Sequence, residues 1–451
     1  MADRLAATGV LLVGGASERF GSAKALARFR GETLAGRAWH VLGETCEEVI
    51  AVGKDRDVLE LPFPVLDDGT GERAPVFGVI AALRAASHET CLVLPVDCPL
   101  VTSDLLRALV AAGAVPHTGP LPGTYSKAML VELEARVAAG ELSLRGVNPT
   151  VLEVDERLVA NANTRMELIE AAVADWCSSR DDVRAAVVVG SQARSLVPAD
   201  RWSDLDVGLF VDDPTVLQDD ATWVAEFGRP LVTFLEEAAI RGAVERRVLY
   251  EGGEDVDFVL LPASAWRELA ATRDGRHILA RGVRVLHDEL GIGSELGEVA
   301  EPDPPALPDA AAFDELTSDF WYHALWVARK LRRGEVYTAL GGLTRLLLSN
   351  LVTLLRWHAR SLDPAVDTWH GTRFVERWAD PGALAALETA FPHYAVRDVA
   401  RALWDTIDVF QGLEEETARR LGLSSVVDHV QLRRLVSEVV RDPRPGATLW
   451  P

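Results

Sequence analysis

Short apolar runs alternate with stretches of helical period over residues 8–165. TGVLLVGG, EEVIAVG and ETCLVLPVD are strand-like, while TLAGRAWHVLGE and TSDLLRALVAAG carry apolar residues at helical spacing. This alternation predicts a mostly parallel sheet covered on both faces. Met166–Ser179 reads as a connecting helix. A second strand set follows over 180–290, in RAAVVVGS, SDLDVGLFVD and EDVDFVLLP. The Pro-rich acidic stretch GIGSELGEVAEPDPPALPDA then reads as a linker, and apolar residues at helical spacing run from about 312 to 440. The pattern predicts three domains, at 1–168, 169–295 and 296–451.

Bulk properties narrow the class. A chain of 451 residues exceeds one ordinary core, and 48% hydrophobic with 25% charged residues is ordinary for a globular protein. The formal net charge of -22 disfavours nucleic acid as a partner, since phosphate contacts need clustered Lys and Arg. Cys46, Cys91, Cys98 and Cys177 have no metal-type spacing and are expected to be reduced thiols. The N-terminal apolar run lacks the order of a signal peptide and is too short to span a bilayer, so a cytoplasmic protein without a membrane partner is expected. Eleven of the twelve tryptophans lie at or after Trp176, which marks a different kind of core in the second part of the chain.

Two segments carry chemistry. In the first, LLVGGASERFGSAK, a Gly-rich turn follows a strand. Gly14 and Gly15 leave room for backbone N–H groups to approach phosphate oxygens. Arg19 and Lys24 are placed to neutralise a triphosphate as pyrophosphate leaves. Further on, CLVLPVDCP ends a strand with Asp97, where ligands of open α/β sheets bind and a carboxylate can hold Mg²⁺. The alternative for Asp97 is a cap on the helix that starts near Thr102.

LLVGGASERFGSAKAL, PVDCPLV, LPGTYSKAML and ANANT together resemble the molybdenum cofactor guanylyltransferases (MobA-like proteins), in order, over about 1–170. The resemblance implies a Rossmann-like fold, Mg²⁺, GTP as donor and a molybdopterin-like acceptor. It implies Leu12, Gly14, Gly15, Arg19, Lys24, Asp67 and Gly78 as nucleotide-binding positions. Asp97 and Asn163 would hold metal, with Asn161 nearby. Ala74 and Val76-Phe77 depart from the guanine-side pattern, and related cytidylyltransferases share the first motif, so CTP stays open as donor.

In the second segment, Gly190-Ser191 follows the strand AAVVV, and Asp204 and Asp206 come thirteen and fifteen residues after Ser191. Residues i and i+2 of a strand share a face. With Asp257 from DVDFVLLP, three carboxylates could hold divalent metal for an in-line displacement. Ser191 and the backbone at Gly190 would grip phosphates, with Arg194 adding charge.

GSQAR, WSDLDVGLFVDD, WVAEFG and VDFVLLP resemble aminoglycoside 6-adenylyltransferases of the streptomycin-modifying type. DFWYHALWVARKLRRGEVYTA and LLRWHA extend the likeness to about 175–425. This implies a polymerase-β-like α+β catalytic domain, ATP as donor, a helical domain that helps hold a small aminoglycoside-like acceptor, and the metal trio Asp204, Asp206 and Asp257. Glu335 is a candidate general base, with Asp200 and Asp255 as alternatives. The expected whole is a bifunctional nucleotidyltransferase. Its rivals are one catalytic half beside a nucleotide-sensing half, and a protein-AMPylating enzyme.

Overall fold

Strand Leu5–Leu12 (β1) is buried from Ala7 to Leu12, with Thr8 the one polar side chain there, because both faces of its sheet are covered. It lies between Cys46–Gly53 (β2) and Thr90–Pro95 (β4), parallel to both. Val65–Asp67 (β3) extends the parallel ladder beyond β2, and Gly123–Ser126 (β5) closes the other edge antiparallel to β4. The order is β3-β2-β1-β4-β5, the Rossmann-like arrangement. The computed structural model describes residues 4–14, 20, 23–54, 60–194, 196–238, 240, 242–296, 306–369 and 372–441.

Side-chain alternation sends Val10, Leu12, Val52, Cys91 and Val93 to one face, against helix Pro75–Ala85 (α2). Ala7, Leu11, Leu92 and Leu94 go to the other, with helices Leu34–Thr45 (α1) and Ser103–Ala112 (α3). Thr33 and Thr102 cap α1 and α3, accepting from Gly36 N and Leu105 N. Asp97 is thus not the cap of α3. Pro75, which has no N–H to lose, opens α2.

Helix Arg165–Ser178 (α4) matches the expected connecting helix within a residue. Thr164 caps it by accepting from Glu167 N, and Glu167 Oε2 accepts from Asn163 N, close to a capping box. The helix leads into a mixed sheet of Val183–Val189 (β6), Leu205–Val211 (β7), Pro230–Glu237 (β8), Val244–Tyr250 (β9), Asp255–Pro262 (β10) and Arg284–Asp288 (β11). Its order is β8-β9-β10-β7-β6-β11, with β7 and β10 parallel and the other neighbours antiparallel. Strands β8, β9 and β11 were not foreseen from the sequence.

One contiguous apolar cluster joins the two sheets. It contains Leu11, Leu92 and Leu94 from the first, Val188, Val207 and Phe258 from the second, and Leu168, Ile169, Val173 and Trp176 of α4. Trp176 stacks on Trp223 at 5.4 Å and meets the edge of Phe227 at 5.5 Å. Arg30 reaches Asp175 of α4 at 2.6 Å. Both sheets accordingly lie in one compact unit, Met1–Pro302, and Asp303–Pro451 forms a second. Of the expected linker, Ile292 is buried in the core of the second sheet, while 297–305 lie outside the described residues.

The second unit is helical, as the sequence pattern predicts. Helices Ala310–Arg332 (α5), Val336–Arg345 (α6), Val352–Leu362 (α7), Val396–Leu421 (α8) and His429–Arg441 (α9) build it, with a π-helical turn at Leu346–Leu351 joining α6 to α7. Phe320 of α5 stacks on Phe410 of α8, ring centroids 3.6 Å apart. Val336–Leu362 is long and apolar enough to cross a membrane by length and composition alone. Its Leu343, Leu346, Leu351, Leu354 and Leu355 are core residues of this unit.

Candidate active sites

The first site forms where β1 and β4 end. Lys24 Nζ donates to Asp97 Oδ2 at 3.0 Å and to Asn163 Oδ1 at 3.2 Å, so three residues from distant parts of the chain meet. Ala162 N donates to the carbonyl of Asp97 at 2.8 Å, and Cys98 Sγ contacts Asn161 Oδ1 at 3.3 Å, which pins the 160–163 segment beside β4. Asp97 Oδ1 is buried and has no hydrogen-bond partner among the described residues. A buried carboxylate oxygen left open beside an amide oxygen suits a hard cation. Gly15 and Arg19 lie outside the described residues.

The other expected nucleotide positions lie around the same strand ends. Gly14 directly follows Val13, whose N–H bonds the carbonyl of Val52 on β2. Asp67 ends β3 in register with Gly53. A Cβ on Gly78 would come 2.8 Å from Leu12 Cδ2, so this glycine lets α2 pack directly on β1. Not foreseen was Lys54, whose ammonium donates to both oxygens of Asp68 at 3.0 and 2.7 Å and to Thr70 O at 3.1 Å. This nearly buried pair clasps the loop that follows Asp67.

In the second site, Asp206 on β7 and Asp257 on β10 are register partners on parallel strands. Oxygens of Asp204, Asp206 and Asp257 lie within 4.8 Å of one another. Asp257 is 3% exposed, and its Oδ1 is buried without a hydrogen-bond partner among the described residues. Burial pushes its pKa up to about 7; Arg247 opposes that rise, and Asp255, Glu245 and Asp206 add to it. Three carboxylates this close, one of them buried and short of a partner, fit a divalent cation that would neutralise them.

The turn Gly190–Gln192 leaves β6 directly over this trio. Gly190 has φ +68°, and a Cβ there would lie 2.0 Å from Asp206 Oδ2. Ser191 Oγ donates to the Asp204 carbonyl at 3.1 Å. Arg194 Nε donates to Val197 O at 2.6 Å, closing the loop beyond the turn. Asp200 accepts from Trp202 N and Ser203 Oγ and so shapes the approach to Asp204.

Arg247 was missed by the sequence reading. It stands opposite Asp257 on β9, its Nη1 3.3 Å from Asp257 Oδ2, and it also pairs with Glu245 and Glu236. The signal was the period-two placement of Glu245 and Arg247, legible only once that segment is known to be a strand. Glu335 belongs to the second unit. Lys330 Nζ and Arg333 Nε each lie 2.7 Å from its carboxylate, and the hydrogen bond from Lys330 holds its pKa below the usual range.

Comparison with known proteins divides the chain between the two sites, not at the boundary of the two units. The streptomycin adenylyltransferase family model matches residues 163–432, and the MobA-like NTP transferase domain model matches 9–146. A probable molybdenum cofactor guanylyltransferase of Aquifex aeolicus is 30% identical over 173 residues, which cover 35% of this chain and 86% of that protein. The aminoglycoside 6-adenylyltransferase of Bacillus subtilis is 24% identical over 197 residues, covering 42% of this chain and 66% of its own length. The crystal structure of an aminoglycoside 6-adenyltransferase from Bacillus subtilis aligns over 61% of this chain and 98% of that one, at 16% identity and a TM-score of 0.30. The chain belongs to two nucleotidyltransferase families at once, the MobA-like NTP transferases through its first part and the streptomycin adenylyltransferases through the larger remainder.

Proposed function

We propose that the protein is a bifunctional, Mg²⁺-dependent nucleotidyltransferase of the cytoplasm. The first site would transfer GMP from GTP to a molybdopterin-like acceptor. The second would transfer AMP from ATP to a hydroxyl of a small aminoglycoside-like acceptor. Each reaction releases pyrophosphate in one displacement. The observation that carries the reading is the in-register pair Asp206 and Asp257, with Asp204 beside them and the Gly190–Ser191 turn above.

Bound at either site, Mg²⁺ would neutralise triphosphate charge and steady the attacking and leaving oxygens. In the first site Asp97 and Asn163 would hold it, while Lys24 meets the phosphates and Arg19 adds a second positive charge. Gly14 and Gly15 would let the backbone close on the triphosphate, and Leu12, Asp67 and Gly78 would border the nucleoside. In the second site Asp204, Asp206 and Asp257 would hold the metal. Gly190 and Ser191 would present N–H and hydroxyl donors to phosphate oxygens, and Arg194 would add charge. Glu335 remains the candidate base for the acceptor hydroxyl, kept ionised by Lys330 and Arg333.

The test is pyrophosphate release and nucleotide binding with Mg²⁺ and each of ATP, GTP and CTP. It compares wild type, Asp97→Ala and Asp204→Ala/Asp206→Ala, with streptomycin and a molybdopterin source as acceptors. GTP use that depends on Asp97, and ATP use that depends on the Asp pair, is the expected result. A half that binds no nucleotide loses its assignment, and CTP in place of GTP changes the first donor.

A further inference from the structure

The turn assigned to phosphate in the second site is closed by its own backbone and braced from outside. Ala193 N and Arg194 N reach the Gly190 carbonyl at 3.4 and 3.2 Å. Donors that must meet a phosphate are held in place by the hydrogen bonds around them. Ser191 Oγ ties one side of the turn to Asp204, and β11 braces the other. Arg284 is the register partner of Val188, two residues before Gly190, and its Nη1 donates to the Gln192 carbonyl at 2.9 Å. The segment leading into the strand presses close at this point, since a Cβ on Gly282 would meet the Ala193 carbonyl oxygen at 2.4 Å.

Arg284 is itself fixed. Its Nε donates to Glu170 Oε2 at 3.0 Å, and its Nη2 reaches Glu170 Oε1 and Oε2 at 2.7 and 2.6 Å. The two-pronged pairing sets the plane of the guanidinium and leaves Nη1 aimed at the carbonyl of the turn. Glu170 is 7% exposed and sits on α4, between core residues Ile169 and Ala172. The chain of support therefore runs from a rigid, core-packed helix through one planar cation to the backbone of the turn. A lysine could supply the charge but not the fork and the third bond together.

We propose that Arg284 is a positioning residue of the second nucleotide site. By holding the Gln192 carbonyl, it aims the Gly190–Ser191 donors at the triphosphate without touching the nucleotide. The inference rests on the reading of that site as the ATP site. It predicts that the geometry of the guanidinium matters and that its charge alone does not suffice.

The experiment uses the full chain with Arg284→Lys, Arg284→Met and Glu170→Gln. It measures the Kd for Mg·ATP, KM and kcat for ATP-dependent pyrophosphate release, amide exchange at Ser191–Arg194, the thermal midpoint, and GTP binding as an internal control. Both Arg284 variants should weaken ATP binding about tenfold, the size of a lost charge-assisted hydrogen bond. KM should rise with kcat nearly kept, exchange at Ser191–Arg194 should quicken, and GTP binding should not change. Glu170→Gln, which keeps the side chain's shape, should give a smaller shift in the same direction.

Three results overturn the proposal: unchanged ATP affinity and exchange in a folded variant; full function in Arg284→Lys, which would mean that charge alone acts; or parallel loss of GTP binding and thermal stability, which would make the role one of general folding. If an Arg284 variant does not fold, Glu170→Gln decides by the same exchange and affinity readings. Wild-type protein that binds no ATP overturns the reading of the site, and this inference falls with it.

Discussion

Asp206 and Asp257 stand opposite one another on parallel strands although fifty-one positions separate them in the chain. A parallel ladder keeps register partners on one face, so the two carboxylates must converge unless a strand slips. Replacement of Asp257 by Asn should therefore abolish ATP-dependent turnover. The loss should exceed the roughly 10- to 100-fold that removal of an indirect supporting residue costs at metal sites. The fold should survive, because Asn keeps the shape and removes a charge that is costly to bury. Circular dichroism and pyrophosphate release on the same preparation check both halves of this prediction.

Lys24 spans Asp97 and Asn163, and its removal should act on one reaction only. With Lys24→Ala, GTP-dependent turnover should fall by at least about 100-fold, the loss seen when one preorganised donor is taken from a developing negative charge. ATP-dependent turnover should stay within experimental error. Equal losses in both reactions would show that the variant damages the shared core and not a site.

Gly190→Ala places a methyl group where an Asp206 oxygen now sits and holds an alanine at φ +68°. The left-handed backbone alone costs about 1 to 2 kcal/mol in an L-residue. The displaced carboxylate should cost far more in activity than in stability. Denaturant unfolding should show the small change, and ATP turnover the large one.

All four cysteines are free and buried. Burial pushes the thiols of Cys46, Cys91 and Cys177 up to about 12, and that of Cys98 well above its ordinary value. A raised thiol pKa keeps the neutral form, so thiolate appears only as pH approaches the raised value. At pH 9 the native protein should leave a thiol reagent almost unconsumed. In denaturant all four should react. Fast labelling of any one in the native state would contradict the burial described.

Phe320→Ala removes one ring of the stacked pair with Phe410 inside the helical unit. Emptying so large a buried side chain costs about 3 to 5 kcal/mol. A lowered denaturation midpoint with unchanged slope is the expected reading.

Legibility in the sequence followed distance along the chain. Gly14 to Lys24 and Ser191 to Asp206 are short segments whose turn residues and carboxylates announce their chemistry. Asp257 was legible because its strand is apolar and carries few other charges. Strand β8 was not, since Leu231, Val232, Phe234 and Leu235 are all substantially exposed and no alternation marks a buried face. Without β8 and β9 there was no frame in which Arg247 could face Asp257. Glu170 and Arg284 lie 114 positions apart, and neither belongs to a motif. Such a pair exists only once the sheet is folded.

Asn163 stands one residue before the cap of α4, and that helix carries Trp176 into the core around the second sheet. Asp175 of that helix, within the segment matched by the adenylyltransferase family, pairs with Arg30 of the guanylyltransferase-like part. If two genes were once joined here, the seam has closed. Exchange of the segment beyond residue 170 would leave Arg30 without Asp175. Arg30→Ala, which removes the bond to Asp175, should therefore lower the stability of both sheets together and not of the first alone.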